Sequence, residues 1–256
     1  MSLLTQPEDI ATLREGGRRL AAYVKEVGAT IKPGITTREL NDHFERLVRA
    51  GGDETSFLNY APRGAKRPFP AAICISVNDE VVHGIPTENS RVVMEGDIVT
   101  LDGGVTHQGL ITDHAVSFIA GTPDADATAL LQATERGLLA GIAAAKIGNH
   151  VGDISAAIEA VGVVAGYGIV YELGGHGVGY HVHEEPYISN VGDAGTGEEL
   201  VEGMVLAIEP MFTEGTPKVK LMKDGYTFVT ADGSRAAHFE HTILLTKNGP
   251  EIITKP

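Results

Sequence analysis

The sequence predicts an α+β fold in which two related halves share one curved sheet, with helices on its outer face. Three observations carry that expectation. A pair of amphipathic helices is expected twice, apolar β-branched segments follow each pair, and no stretch of the 256 residues resembles a flexible linker. The repeat is not literal, so two unrelated α+β halves remain the alternative. Residues 1–256 are read as one domain.

From Pro7 to about Gly28, the apolar positions Ile10, Leu13, Leu20 and Val24 are separated by polar ones, which predicts an amphipathic helix. Lys32-Pro-Gly-Ile breaks it. Thr36 or Thr37 then opens a second helix, Thr36-x-x-Glu39 fits a capping box, and Gly51-Gly52 closes it. The second half repeats the pattern, with a helix from about Asp126 to Lys146. Asp153 is expected to cap another from about Ile154 to Val164, closed by Gly166 and Gly168. Strands are expected over Ala71–Val77, Ile98–Leu101, Met204–Ile208 and Phe239–Thr246.

Composition narrows the class. The chain is 43% hydrophobic with a formal net charge of −14, that of an ordinary globular protein. No apolar run approaches the ~20 residues of a membrane span. The first residues lack the basic start and apolar stretch of a signal peptide. One cysteine, Cys74, excludes an intrachain disulfide and a thiolate zinc cluster, so a reduced, cytoplasmic setting is expected. The acidic balance argues against nucleic-acid binding over the whole surface. Pro62-Arg-Gly-Ala-Lys-Arg-Pro68 is the local exception, with Arg63, Lys66 and Arg67.

Five residues point to chemistry. Asp102, Asp113, His176, Glu209 and Glu240 each sit in or beside a short apolar run. Buried carboxylates are costly unless paired or bound to metal, and four converging in one core repel one another unless positive charge lies between them. Two divalent cations would balance four carboxylates, and oxygen donors with one imidazole suit Mn²⁺, Fe²⁺, Co²⁺ or Zn²⁺. Two such ions ~3.5–4 Å apart are a recurrent hydrolytic device, with a water between them that ionises near neutral pH. Separate surface charges or buried ion pairs are the bland alternative for any one of the five.

Period-2 alternation puts His238, Glu240 and Thr242 on one strand face and Phe239, His241 and Ile243 on the other. Asp102 is expected at the end of a strand, before Gly103-Gly104. A hairpin through Val105–Gly109 would bring Asp113 beside it. The glycines flanking His176 allow close backbone approach and aim the imidazole inward. Other chemistries lack their motifs: there is no H-E-x-x-H, no dinucleotide fingerprint, no G-K-[ST] loop and no G-x-S-x-G elbow. Cys74, within Ala-Ile-Cys-Ile-Ser-Val, is read as a small hydrophobe that could line a pocket wall rather than a nucleophile.

The chain resembles the type I methionine aminopeptidases. The matching stretches are Cys74-Ile-Ser-Val-Asn-Asp-Glu-Val-Val-His83-Gly-Ile-Pro86, Gly175-His-Gly-Val-Gly179 with His183-Glu-Glu-Pro186, Ala207-Ile-Glu209-Pro-Met211, Lys223-Asp-Gly-Tyr-Thr227 and Phe239-Glu-His-Thr242. The resemblance implies a pita-bread fold with a curved antiparallel sheet, and removal of the initiator methionine from nascent chains before a small second residue. It implies two metals held by Asp102, Asp113, His176, Glu209 and Glu240, with Asp113 and Glu240 bridging. His83 and His183 would contact substrate around the scissile amide, and Glu209 would handle the proton. Tyr60, Phe69, Cys74, Val182 and Tyr226 would form the methionine pocket, though each could equally be plain core. A monomer is expected, and the segment with Arg63, Lys66 and Arg67 is either a solvated loop or a docking contact with ribosomal RNA.

Departures from the family pattern are specific. Val182 stands where Phe is usual and Tyr226 where Trp is usual, which changes pocket width or polarity. His238 replaces a usual Gln and would put an extra titratable group near the metals, with Thr242 on the same strand face. His114 and His181 add imidazoles read as neutral neighbours. The rivals are an Xaa-Pro aminopeptidase or dipeptidase of the same fold, which typically carries an additional N-terminal domain, and a non-catalytic binding module, which should lack ligands. Only 30 residues separate Glu209 from Glu240, too few for the insertion of type II enzymes.

Overall fold

The computed structural model describes residues 1–62 and 64–255. Its elements in chain order begin with α1 (Pro7–Gly28), α2 (Thr37–Ala50), β1 (Glu54–Thr55), β2 (Cys74–Val77), β3 (Glu80–Val82), β4 (Ile98–His107) and β5 (Leu110–Ile119). The second half starts with α3 (Ala125–Ala144), α4 (Val151–Ala165), β6 (Gly168–Ile169), β7 (Gly174–Gly177), β8 (Glu184–Ser189) and β9 (Val205–Ile208). It ends with β10 (Met211–Thr213), β11 (Val219–Leu221), β12 (Phe228–Thr230), β13 (Ala236–His238), β14 (Glu240–Thr246) and β15 (Gly249–Ile252).

The helices start where the capping chemistry says. Pro7 opens α1, with Glu8 and Asp9 in its first turn and Lys25 in its last. At α2 both arms of the capping box form: Glu39 N–H donates to Thr36 Oγ1 at 3.2 Å, and Thr36 N–H to Glu39 Oε2 at 2.8 Å. Asp124 caps α3 by accepting from Ala127 N–H at 2.6 Å. Asp153 does not cap α4 as expected. It sits one turn inside, accepting the His150 N–H at 2.7 Å, so the helix begins earlier, at Val151. Gly166 ends it at φ +77°.

The main sheet has nine antiparallel strands in the order β1-β4-β5-β14-β9-β7-β8, with β2 on β4 and β15 on β14. Two three-stranded sheets, β13-β10-β6 and β11-β12-β3, complete it. The halves meet where β5 pairs with β14. On one face, Val99, Leu101 and Val105 pack against Leu20, Val24, Leu40 and Phe44 of α1 and α2. Leu206, Ile208 and Ile243 do the same against Leu130, Leu138, Ile154 and Ile158 of α3 and α4. Phe44 is fully buried, and truncating such a ring to alanine costs ~3–5 kcal/mol. The helices therefore cover one face, and alternation turns Asp102, Glu209 and Glu240 to the other.

Two strands depart from the expectation. Gly103-Gly104 does not end β4; the strand runs on to His107. A Cβ on Gly103 would lie 2.8 Å from the Phe44 ring, and one on Gly104 2.7 Å from the Phe57 ring. The glycines are sockets for two aromatics rather than a stop. The segment 236–246 is instead broken at Phe239. Pro210 cannot donate to a ladder, so β9 ends at Ile208 and the chain opposite shifts from β13, paired with β10, to β14, paired with β9.

Candidate metal centre and substrate pocket

Register sets the two aspartates diagonally. Asp102 faces Ala115 and Asp113 faces Gly104 across the β4–β5 hairpin, whose turn is Gln108-Gly109 at φ +48° and +86°. Opposed residues share a face, so both carboxyls point the same way. Glu240 joins them because it pairs with Ala115 from the other side. Glu209 follows the end of β9, and His176 pairs with Ala207 from β7. Close approach by β7 requires its glycines: a Cβ on Gly175 or Gly177 would sit 2.2 Å from the carbonyl oxygen of Ala207 or Glu185.

All five sequence-predicted residues line one cavity of about 290 Å³. Ligand atoms of Asp113, His176 and Glu240 lie within 4.8 Å of one another. Glu209 Oε1 is 3.5 Å from His176 Nε2, and its Oε2 is 3.5 Å from His238 Nε2. Burial, then the neighbouring carboxylates, push Glu209 and Glu240 well above the usual carboxylate range. Asp113 rises for the same two reasons, and burial raises Asp102 to about 7. No lysine or arginine is among the described residues lining the cavity. His176 Nδ1 donates to Gly177 O at 2.8 Å, because a carbonyl can only accept, and this leaves the Nε2 lone pair free beside Glu209. Burial and the His183 ring hold His176 down at about 3. Four carboxylates without a countercharge, beside an imidazole fixed as an acceptor, are a donor set that fits divalent metal.

Of the predicted apolar residues, Tyr60, Phe69, Cys74 and Tyr226 line the cavity, while Val182 packs behind them without lining it. Phe69, Cys74, Val182 and Tyr226 belong to one buried cluster, with Tyr60 half-buried against it. Sequence reasoning missed Phe57, Ala71 and Ile85 in the same cluster. Phe57 reaches the site only through its socket at Gly104, a pairing that no local pattern encodes. Cys74 faces Asp102 across β2–β4. Burial, then the nearby carboxylates, keep its thiol raised well above its ordinary value, in agreement with the non-nucleophilic reading.

His183 and His83 flank the cavity. Tyr60 Oη lies 2.8 Å from His183 Nδ1, and the His183 ring stands edge-on to His176 at 4.5 Å. Glu184 folds the carrying loop by accepting from Tyr180 N–H and His181 N–H, both at 3.0 Å. That turn buries Val182 and exposes His181. His83 has φ +59°, a left-handed conformation that is costly for a side chain bearing a Cβ. Burial first, then His183, lower it to about 4.

Of the remaining histidines, His238 departs from expectation and His114 keeps the neutral reading. His238 is fully buried, with no hydrogen-bond partner at either ring nitrogen among the described residues. Burial lowers it to about 3, so it stays neutral in the working range rather than adding a titrating group. His114 is a sheet brace. It stacks on His241 at 4.8 Å on the helical side, and its Nδ1 donates to Glu240 O at 2.6 Å. In the basic segment, Arg67 is engaged by Glu88 and Asp224, Lys66 is exposed, and Arg63 lies outside the described residues.

Buried carboxylates and an imidazole converging on a curled antiparallel sheet define a metal-dependent hydrolase. The chain belongs to metallopeptidase family M24, whose model matches residues 11–247. The methionine aminopeptidase of Aquifex aeolicus is 41% identical to it over 254 residues, covering 98% of each chain. Methionine aminopeptidase 1 of Bacillus subtilis is 40% identical, covering 100% of both. The solved methionine aminopeptidase of Thermotoga maritima matches at TM-score 0.94 and 40% identity, with 100% of both chains covered. A prolidase from Pyrococcus furiosus shares the fold, at TM-score 0.76 and 22% identity, and this chain spans 66% of it. The fold is the pita-bread fold.

Proposed function

We propose that the protein is a metal-dependent methionyl aminopeptidase that removes the initiator methionine from nascent polypeptides, favouring a small second residue. The observation that carries this reading is the junction of two surfaces in one cavity. Five metal-type donors, Asp102, Asp113, His176, Glu209 and Glu240, stand beside an apolar wall of Phe57, Phe69, Cys74 and Tyr226. About 40% identity to methionine aminopeptidases over the full chain supports it.

The five donors, Asp113 and Glu240 among them, would hold two divalent cations of the Mn, Fe, Co or Zn type. Bound there, the cations supply Lewis-acid polarisation and lower the pKa of water. The chain's own groups do the rest. The apolar wall receives the methionine side chain and excludes water from the reacting amide. Glu209 takes a proton from the attacking water at its carboxylate and returns it to the leaving amine. Tyr60 Oη lies 2.8 Å from His183 Nδ1, and with the hydroxyl as donor the His183 proton would sit on Nε2, where it can donate to the developing oxyanion. His83, neutral and held by its strained backbone, helps orient the amide.

A monomer of one catalytic domain acting in the cytoplasm fits this role. No described helix is long and apolar enough to cross a membrane. Ribosome contact would fall to the segment that carries the exposed Lys66, since Arg67 is committed within the fold. Hydrolysis of Met-Ala-Ser against Ala-Pro and Leu-Pro peptides, in Mn²⁺, Co²⁺ or Fe²⁺ after chelation, tests the reading. Methionine release is expected; cleavage of the proline peptides alone would assign the Xaa-Pro activity instead.

A further inference from the structure

One guanidinium ties two segments that wall the cavity to a neighbouring turn. Tyr60 and Phe69 close the base of a loop, with Asn59 N–H donating to Phe69 O at 2.9 Å and Phe69 N–H to Tyr60 O at 2.8 Å. The neighbouring turn carries Glu88, and the second wall segment is the hairpin 221–227. Asp224 shapes that hairpin by accepting from Tyr226 N–H and Thr227 N–H, both at 2.9 Å. Arg67 reaches all three. Its Nη2 donates to Glu88 Oε2 at 2.8 Å, and its Nη1 makes the second arm of the fork. The same Nη2 donates to Asp224 O at 3.0 Å. The guanidinium carbon lies 5.9 Å from the Tyr226 ring centroid, and Tyr226 Oη donates back to Arg67 O. Tyr226 in turn stands edge-on to Phe69 at 5.2 Å. Tyr226 is thus held through both its face and its hydroxyl by one residue.

We propose that Arg67 is a positioning residue for side-chain selectivity: its clasp on Glu88, Asp224 and Tyr226 fixes the width of the pocket between Phe69 and Tyr226. The inference rests on the aminopeptidase reading above. Arg67 touches no reacting group, so it acts on binding of the methionine side chain and not on the chemical step. An ion pair this exposed adds little to global stability, which separates a positioning role from a folding role. Geometry is the feature that counts. A planar fork satisfies a carboxylate and a carbonyl at once while lying on a ring, which a lysine ammonium cannot do.

The test compares wild type, Arg67→Ala, Arg67→Lys, Tyr226→Phe and the Arg67→Ala/Tyr226→Phe double variant on Met-Ala-Ser and Leu-Ala-Ser with saturating Mn²⁺. Calorimetric binding of L-methionine accompanies the kinetics. Arg67→Ala is expected to raise KM for the methionine peptide about tenfold with kcat within about twofold, and to narrow the methionine-to-leucine preference. Arg67→Lys restores only part of this. The double variant loses less than the sum of the singles, because both cut one clasp. L-methionine affinity falls in step with KM. Wild-type KM and preference in Arg67→Ala, or a fall in kcat alone, would overturn the proposal. A wild type that releases no methionine defeats the aminopeptidase reading separately. L-methionine calorimetry then decides the clasp: weaker binding in Arg67→Ala sustains it and unchanged binding removes it.

Discussion

Thr242 Oγ1 lies 2.8 Å from both the backbone nitrogen and the carbonyl oxygen of Asp113. β5 and β14 pair directly only at Glu240–Ala115 and His241–His114, and this hydroxyl bridges the next step. It accepts from one group and donates to the other, so both backbone groups of Asp113 are satisfied at the seam between the halves. Thr242→Val keeps the shape and orphans both. It is expected to cost about 2–4 kcal/mol in urea unfolding of the metal-free protein. Metal affinity should fall ~10-fold or more through misplacement of Asp113, with Thr242→Ser recovering most of it. Calorimetric metal binding as tight in Thr242→Val as in wild type would refute the positioning role.

Metal removal should invert the pH dependence of stability above pH 6.5. In the metal-free fold, Asp102 is raised to about 7, and Asp113, Glu209 and Glu240 are raised well above their ordinary range. A carboxyl raised on folding stabilises fully below its unfolded pKa and loses that contribution as pH climbs through the folded one. The melting temperature of chelated protein should therefore fall between pH 6.5 and 8, and metal-loaded protein should not follow it. Below pH 6.5 the sign reverses for the histidines. His83 and His241 are lowered to about 4, and His114, His176 and His238 to about 3, mainly by burial, so folding keeps them neutral and stability drops with acid. Parallel melting profiles for the two forms above pH 6.5 would show that the carboxylates do not share the site.

His238 is the buried imidazole whose Nε2 approaches Glu209. Because burial lowers it to about 3, it does not titrate near neutral pH. His238→Gln should leave the shape of the kcat/KM profile between pH 6 and 9 unchanged. A basic or acidic limb displaced by about half a unit or more would restore it as a titrating group.

Much of this architecture was legible because it rests on local rules. The capping box of Thr36 and Glu39, the alternation that separates Glu240 from His241 and the glycines around His176 are short-range statements, and each holds. The misreadings share one cause: a distant partner decided the local outcome. Gly103-Gly104 continues a strand because Phe44 and Phe57 fill the vacant side-chain positions. Phe239 interrupts one because Pro210 ends the neighbouring ladder. Nor does the sequence signal that Arg67, in the basic segment, pairs with Glu88 and with the carbonyl of Asp224, since both partners are distant in the chain.

Methionine release from Met-Ala-Ser by chelated protein, followed as Mn²⁺ is titrated in, tests the central claim most directly when wild type and Glu240→Gln are run side by side. The account predicts no release without metal, a rise that tracks calorimetric metal occupancy in wild type, and weakened occupancy with release reduced ~10²-fold or more in Glu240→Gln. Release that persists in excess chelator, or full metal-dependent activity in Glu240→Gln, would contradict it.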